Sequence, residues 1–332
     1  MENETIPKVS VIAPIYGVEK FIGKCVQSLM EQTLDSIEYI FVDDATPDKS
    51  VGILTAIVDK YPTRKCSVKI IKHTQNKGLP AARNTGLNEA KGEYIFHCDS
   101  DDFLEPSMLE LLYGKAKADG CDYVWSDWYL TFESNSRHMR QPSASSPRNA
   151  LEIALAGGMK YNVWNKLVKR ALYEESGIRF PEGRSMGEDM TMIRLLAKAK
   201  NTGNVAQPLY HYIRTNSGAM TQEYSDIHLE QLRLNADETI NYILNCISDE
   251  AIAREIDWFK LNTKLPFLFS GRDEDFKRWK EWYPEANRSI MSNRMQSLRT
   301  RMLQMSARYG ITFVNKLYCK LVFNFIYGKI YK

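Results

Sequence analysis

Residues 94–102 read Tyr-Ile-Phe-His-Cys-Asp-Ser-Asp-Asp, an apolar run that ends in three carboxylates. The run follows Gly92 and predicts a short buried strand. In open α/β sheets, ligands bind where such strands end. Three acids within four residues repel one another, so the cluster indicates a bound cation or a set of hydrogen-bond donors. An alternative is a helix start, with Asp102 as the N-cap before Pro106.

Length and composition indicate one large domain or two, because 332 residues with 44% hydrophobic content can bury a full core. The six cysteines have no metal-ligand spacing, and residues 1–4 do not resemble a signal peptide. We therefore expect a cytoplasmic protein. The charge is uneven. Residues 288–332 contain nine Lys or Arg and no acid, which leaves 35 of the 44 basic residues against all 41 acidic ones in residues 1–287.

Upstream of residue 94, short β-prone runs alternate with helical patterns. The strands are predicted at 9–13, 39–42 and 68–71, and the helices begin near 19, 51 and 80. This alternation predicts a doubly wound α/β sheet with helices on both faces. In the third helix, the small residues Ala82 and Gly86 favour close packing on the sheet. Arg83 in its first turn is either an ion-pair partner of an Asp or a phosphate or base contact.

Four segments together resemble the motifs of family 2 glycosyltransferases. They are Pro14-Ile15-Tyr16, Val42-Asp43-Asp44-Ala45-Thr46, Ala81-Ala82-Arg83-Asn84 and Asp99-Ser100-Asp101-Asp102. The resemblance implies a GT-A fold, with a Rossmann-like sheet, over residues 1–220. A nucleotide-binding half, 1–105, would precede an acceptor half, 106–220. We expect a helical C-terminal region to follow at 221–332, ending in a basic amphipathic tail at 288–332.

The same resemblance implies roles for individual residues around a nucleotide sugar. Tyr16 would stack on the nucleobase and Asp44 would accept a hydrogen bond from its imide N–H. Asp99 would hold the ribose or the water shell of a metal, and Asp101 would ligate Mn²⁺ or Mg²⁺. The remaining nucleotide contacts would come from Pro14, Glu19, Arg83 and Arg214. Two departures from the usual motifs are Gly17, where Asn is common, and Ala45-Thr46, which replaces Gly-Ser.

The acids Glu188 and Asp189 precede a helical pattern that begins at Met190. Adjacent acids at a helix start are also ordinary capping residues. The resemblance implies instead that Asp189 is the catalytic base and Glu188 its orienting neighbour or an acceptor contact. It also places the Trp164-Asn165-Lys166 segment beside the donor sugar and Arg214, with His211 as a second candidate, on the diphosphate.

Two other regions carry open interpretations. Residues 134–149 are rich in Ser, Arg, Pro and Asn and predict a loop, and Trp128 before them is either a core residue or a sugar contact. In the basic tail, Lys316 and Lys320 interrupt the apolar residues, so the pattern favours an interfacial helix on anionic lipid over a membrane span. A helix that packs on the main domain and a dimer contact are the alternatives. Nucleic acid is not expected, since the acids of residues 1–287 would oppose it.

These observations predict an inverting, metal-dependent glycosyltransferase at the inner face of the cell membrane. Its donor would be a nucleotide sugar, with UDP expected, and its acceptor a glycan or lipid-linked saccharide of surface polysaccharide synthesis. A nucleotidyltransferase would need a Gly-rich basic phosphate loop after the first strand, where residues 14–18 read Pro-Ile-Tyr-Gly-Val. A non-catalytic nucleotide-sugar-binding membrane scaffold would have no use for a base at Asp189.

Overall fold

The strands Val9–Ile15, Ile37–Asp43 and Tyr94–His97 are buried on both faces and alternate with helices, as expected for a parallel sheet covered by helices. The computed structural model describes residues 6–214, 225–270 and 272–321. The strands are β1 Val9–Ile15, β2 Ile37–Asp43, β3 Val68–Lys72, β4 Tyr94–His97, β5 Phe103–Leu104, β6 Tyr123–Thr131, β7 Ser136–Met139, β8 Lys166–Lys169 and β9 Thr202–Ile213. The first helices are α1 Ile22–Met30, α2 Ser50–Val58, α3 Pro62–Lys65, α4 Leu79–Glu89, α5 Met108–Asp119, α6 Pro147–Leu155, α7 Arg170–Ser176 and α8 Met190–Leu196. The later ones are α9 Asp226–Cys246, α10 Asp249–Thr263, α11 Asp273–Glu281, α12 Leu298–Arg308 and α13 Thr312–Tyr318, with 3₁₀ helices at Leu265–Phe269 and Pro284–Ser289.

The strands form one sheet in the order β3-β2-β1-β4-β8-β6-β9-β5, and β7 pairs with β6. The first four are parallel, whereas β8 runs antiparallel to both of its neighbours. The prediction of an α/β Rossmann-like sheet is confirmed, and the sheet becomes mixed beyond β4. The predicted loop at 134–149 is wrong in part, because residues 136–139 continue as β7 and form a hairpin with the end of β6.

The contacts divide the chain into two units. The first contains residues 1–150 and 161–235, and the second contains 151–160 and 236–332. The predicted boundary at residue 220 lies outside the described residues. The second unit is helical, which confirms the helical C-terminal region. Within the described residues, its basic segment forms ion pairs inside the unit, Arg288 with Asp257 at 3.0 Å and Lys316 with Asp273 at 2.6 Å.

Helix α4 approaches β1 closely because it has no side chain at residue 86. A Cβ on Gly86 would lie 2.4 Å from Cγ2 of Ile12. This contact confirms the expected close packing and brings the start of α4, with Arg83, against the sheet. Within the described residues, no helix combines the length and apolar character needed to cross a membrane.

Candidate functional site

Arg83 lies at the centre of the charged residues where the parallel strands end. Its side chain is 2% exposed, and Nη2 donates to Oδ1 of Asp99 at 2.7 Å. The Nε and Nη1 groups have no hydrogen-bond partner among the described residues. Of the two interpretations left open by the sequence, the ion pair with Asp99 is therefore present. These two nitrogens, with three N–H donors between them, remain for a further group, since buried N–H groups are rarely left unsatisfied.

The third acid of the cluster after β4 turns inward. Both oxygens of Asp102 accept hydrogen bonds, one from the Ile213 amide at 2.7 Å and the other from the Tyr210 hydroxyl at 2.9 Å. Burial, with added repulsion from Asp101 and Asp99, raises its pKa well above the usual range. Asp102 does not cap a helix, because α5 begins at Met108. It joins the end of β4 to β9.

The two other acids of the cluster, Asp99 and Asp101, remain partly exposed. In the residues that the structure describes, no group of three His, Cys, Asp or Glu side chains is arranged to hold a metal. A magnesium or manganese ion commonly uses one or two carboxylates and completes its shell with phosphates and water. The oxygens of Asp101 and Asp99 fit such a hard cation chemically.

Asp44 sits in a tight loop at the end of β2 and is 3% exposed. Its carboxylate accepts from the amides of Lys77 and Gly78, each at 2.8 Å, and lies 2.6 Å from Nδ1 of His73. A carboxylate has about four acceptor positions, so roughly one remains for a ligand. A cavity of about 430 Å³ lies alongside, lined by Ala45, Thr46, Lys72, His73 and Thr74. That volume is in the usual range for small ligands.

The two departures from the family motifs both occur at left-handed backbone positions. Gly17 has φ +67°, a conformation that Asn and Gly both adopt readily. Ala45 has φ +56°, which costs an alanine roughly 1 kcal/mol relative to the glycine usual there. The hydrogen bond from the Thr46 amide to Asp43, at 2.8 Å, helps to hold this strained turn.

The end of β1 and the loop after it carry three of the predicted nucleotide residues. Pro14 is buried, and its carbonyl accepts from the Ser100 hydroxyl. Tyr16 is 53% exposed, so its ring is accessible to a base. Glu19 accepts from the Lys49 amide at 3.1 Å, and its own amide donates to Asp48 at 2.9 Å. Glu19 therefore joins this loop to the start of α2.

Glu188 and Asp189 share one environment with Arg83 and Asp99. Burial, with repulsion from Asp189, raises the pKa of Glu188 to about 8. Burial also raises the pKa of Asp189 to about 6, and Arg83 limits the rise. Asp189 occupies the N-cap position of α8, yet its side chain makes no capping hydrogen bond. The capping interpretation is therefore wrong for Asp189, whose carboxylate instead accepts from the Val163 amide.

A buried lysine near Asp189 was not singled out by the sequence analysis. Lys166 is 1% exposed, donates to Oδ1 of Asn165 at 2.5 Å and interacts electrostatically with Asp189. Burial lowers its pKa to about 7. Asn165 in turn donates to the Ser126 carbonyl at 2.7 Å. The only sequence signal was that Lys166 belongs to the Trp-Asn-Lys segment.

Of the two candidate diphosphate contacts, His211 is packed between aromatic rings and its nitrogens face partners within the protein. Its ring lies between those of Phe103 and Tyr129, with centroid distances of 4.1 and 4.7 Å. Its two nitrogens lie 3.0 Å from Thr131 and 2.8 Å from Glu105. Arg214 is exposed at the last described residue before the 215–224 segment.

Trp128 is a core residue, 7% exposed. Its ring meets Trp164 edge to face at 5.0 Å, and Trp164 stacks on Tyr210 at 4.5 Å. Through the Tyr210 hydroxyl, this aromatic cluster supports Asp102. The packing of Trp128 therefore agrees with the interpretation of this residue as part of the core.

Comparison with known proteins shows which family has the strands and acidic residues described above. The sequence model described as "Glycosyl transferase family 2" matches residues 10–190, more than half of the chain. The chain belongs to glycosyl transferase family 2. Its first helices, the acid-ended strands β2 and β4, and the Glu188-Asp189 pair all fall within the matched residues of this family.

Two curated relatives of this family 2 chain are bacterial. The uncharacterized glycosyltransferase EpsJ of Bacillus subtilis is 33% identical over 226 residues, 65% of this chain and 64% of the relative. The cholesterol galactosyltransferase of Borreliella burgdorferi is 32% identical over 248 residues, 70% of this chain and 67% of the relative. The chain thus spans slightly less than two thirds of the length of EpsJ.

Among solved structures, residues 1–349 of S. aureus TarS in complex with UDP-GlcNAc are similar to this family 2 chain over most of its length. The TM-score is 0.69 with 21% identity, and the match covers 95% of this chain and 91% of the other. At this identity the similarity establishes the fold.

Proposed function

We propose that the chain is an inverting, metal-dependent glycosyltransferase that moves a sugar from a UDP-sugar to a glycan or lipid-linked saccharide in surface polysaccharide synthesis. The observation that carries the proposal is the grouping of Asp99, Glu188 and Asp189 around the buried Arg83. A base and a donor-side carboxylate are thereby held in one site. Membership of family 2 and the UDP-GlcNAc bound to TarS support the donor class.

In the proposed reaction the acceptor hydroxyl oxygen bonds to the anomeric carbon as the bond from that carbon to the diphosphate oxygen breaks. Asp189 accepts the hydroxyl proton, and the nucleoside diphosphate departs from the opposite face. A positioned base of this kind contributes about 10²–10⁴-fold to the rate. Burial brings the pKa of Asp189 closer to neutral pH, and a general base is most effective when its pKa lies near the working pH.

The donor would lie along the ends of β1, β2 and β4. Tyr16 would stack on the base, whose imide N–H would occupy the remaining acceptor position of Asp44. Asp101, with Asp99 beside it, would hold Mg²⁺ or Mn²⁺, which when bound supplies positive charge to the leaving diphosphate. Arg214 is the protein's own candidate cation for that diphosphate.

The function can be tested with a panel of nucleotide sugars in the presence and absence of Mn²⁺. We expect one UDP-sugar to raise the melting temperature only with metal and to be hydrolysed slowly without an acceptor. Ligand at 100 times its Kd would stabilise the fold by about 2.7 kcal/mol, so a weak donor is detectable. If no nucleotide sugar shifts the melt, the enzyme proposal fails and a scaffold function is favoured.

We further propose that the acceptor is reached at an anionic membrane surface bound by α13. The helix and the turn after it expose Phe313, Leu317 and Leu321, which are 54–68% exposed and lie on one face because they are four residues apart. The opposite side buries Asn315. Residues 288–332 carry nine basic residues and no acids, and each basic residue near anionic lipid contributes about 1 kcal/mol.

Sedimentation with lipid vesicles tests this partner. We expect binding to phosphatidylglycerol vesicles that weakens in high salt, little binding to phosphatidylcholine, and a marked loss for Leu317→Glu. Ile227→Glu is the matched control, since Ile227 is 60% exposed in the other unit. Equal binding by the Leu317 variant, or self-association without vesicle binding, would contradict the membrane proposal.

A further inference from the structure

The loop that carries the catalytic pair has no secondary structure of its own. It runs from residue 177, after α7, to Asp189, before α8. The position of Asp189 therefore depends on what the loop contacts elsewhere in the unit. A displacement of about 1 Å at a catalytic group can cost about 10²-fold in rate.

One side chain of α4, that of Asn84, makes three hydrogen bonds at the start of this loop. Asn84 is 5% exposed and is bonded to residues 96 and 98 positions away in the sequence. Its Nδ2 donates to the Phe180 carbonyl and to Oε1 of Glu182, and its Oδ1 accepts from the Phe180 amide, all at 2.9 Å. An amide side chain that donates and accepts at one residue fixes both position and orientation of the backbone.

Phe180 is held on its other side by rings and charge. It is 2% exposed, with its ring 5.5 Å from the Arg83 guanidinium carbon and 5.0 Å from the His97 ring. Arg83 and Asn84 are adjacent on α4. The same helix thus bonds to Asp99 through one residue and to the loop through the next.

The end of the loop is held by α9. Asn235 donates to the Met186 carbonyl, and Gln231 accepts from the Ser185 amide at 3.0 Å. Gly187, immediately before Glu188, has φ +82°, and a Cβ there would lie 3.1 Å from that of Asn235. Residues 180–187 are therefore held by amide side chains at both ends, by Asn84 at the start and by Gln231 and Asn235 at the end.

We infer that Asn84 is a positioning residue that sets Asp189 relative to the donor by docking the loop on α4. The inference rests on the proposed function for its catalytic readout. In this role, Asn84 contacts neither the sugar donor nor the acceptor. Its loss should lower kcat while leaving the affinity for UDP nearly unchanged.

The test uses Asn84→Asp, which keeps the size and can still accept from Phe180 but cannot donate to either oxygen. With the UDP-sugar identified by the panel, we expect kcat to fall about 10- to 100-fold. The Kd for UDP with Mn²⁺ should change by less than about threefold, as expected when only transition-state positioning is lost. Asn84→Ala, which removes all three bonds without adding a charge, is the second variant and should behave alike.

Asn293→Asp is the matched control. Asn293 is 2% exposed in the other unit, donates to the Ala156 carbonyl at 3.0 Å and accepts from the Met295 amide at 3.2 Å. It should lose stability with little change in kcat. An equal loss of kcat in this control, or a parallel loss of kcat and UDP affinity in the Asn84 variants, would overturn the inference.

Hydrogen exchange provides a readout that needs no activity. Both Asn84 variants should speed exchange of the amides in residues 178–189, whereas Asn293→Asp should not. The Phe180 amide should be affected most in Asn84→Ala, which removes its acceptor. Unchanged exchange there would refute the positioning role even in an active enzyme. A wild-type chain that hydrolyses no nucleotide sugar would instead refute the proposed function, and exchange would still decide the role of Asn84.

Discussion

Asp189→Asn is expected to bind UDP and Mn²⁺ as the wild type does and to transfer sugar about 10²–10⁴ times more slowly, because the amide cannot accept the acceptor proton. The pH dependence gives a second signature. Burial raises the pKa of Asp189 to about 6, so the wild-type rate should fall as the pH decreases through about 6 and the base becomes protonated. The variant should lack this acidic limb in a profile of kcat/KM against pH.

Glu188→Gln is the comparison for that result. The pKa of Glu188 is raised to about 8, so at pH 7 this carboxyl is largely protonated and resembles the neutral amide. Its replacement should cost much less than that of Asp189. A larger loss in Glu188→Gln, or an acidic limb that persists in Asp189→Asn, would show that the base has been assigned to the wrong member of the pair.

Asp101→Ala is expected to abolish the metal-dependent part of donor binding. In the wild type the thermal shift produced by UDP should depend on Mn²⁺, and in the variant the shift with and without Mn²⁺ should coincide. The physical reason is that the ion would lose a carboxylate ligand and most of its attraction to the protein. Transfer should be lost together with binding, unlike in Asp189→Asn.

Asp102→Asn tests whether Asp102 stabilises the fold rather than binding the metal ion. Asp102 accepts from Ile213 and Tyr210 and is 1% exposed, so the amide should lower the melting temperature while the Mn²⁺ dependence of UDP binding persists. If Asp102→Asn removes the metal dependence and Asp101→Ala leaves it intact, the proposed ligand is wrong.

Local features of the fold were predictable from sequence, because apolar runs and helical periodicity report on burial within each element. The strand at 94–97, its acidic end and the close approach at Gly86 all follow from such patterns. The inward turn of Asp102 did not, because its partners lie about a hundred residues later on β9. His211 likewise resembles a ligand residue until Phe103 and Tyr129 are seen on either face of its ring.

In the candidate site, too, the sequence motifs identify single residues but not the contacts between them. The family motifs identified Arg83, Asp99 and Asp189 one by one, but a linear pattern contains no information about which of them meet. Lys166 and Asn84 stood within recognised motifs, yet their importance comes from burial and from partners distant in the chain. Asn235 carried no sequence signal at all.

The place of β8 in the sheet has a consequence for how the chain folds. Strand β4 has β1 on one side and β8 on the other, and its pairing with β8 joins Tyr94 to Lys169. Until residue 169 emerges during synthesis, β4 is an apolar edge strand that could pair with another chain. Residues 1–105 thus contain the acid-ended strands β2 and β4 long before β4 has its second hydrogen-bonded neighbour. Fragments that end near residue 105 should aggregate, and these distant pairings should slow folding.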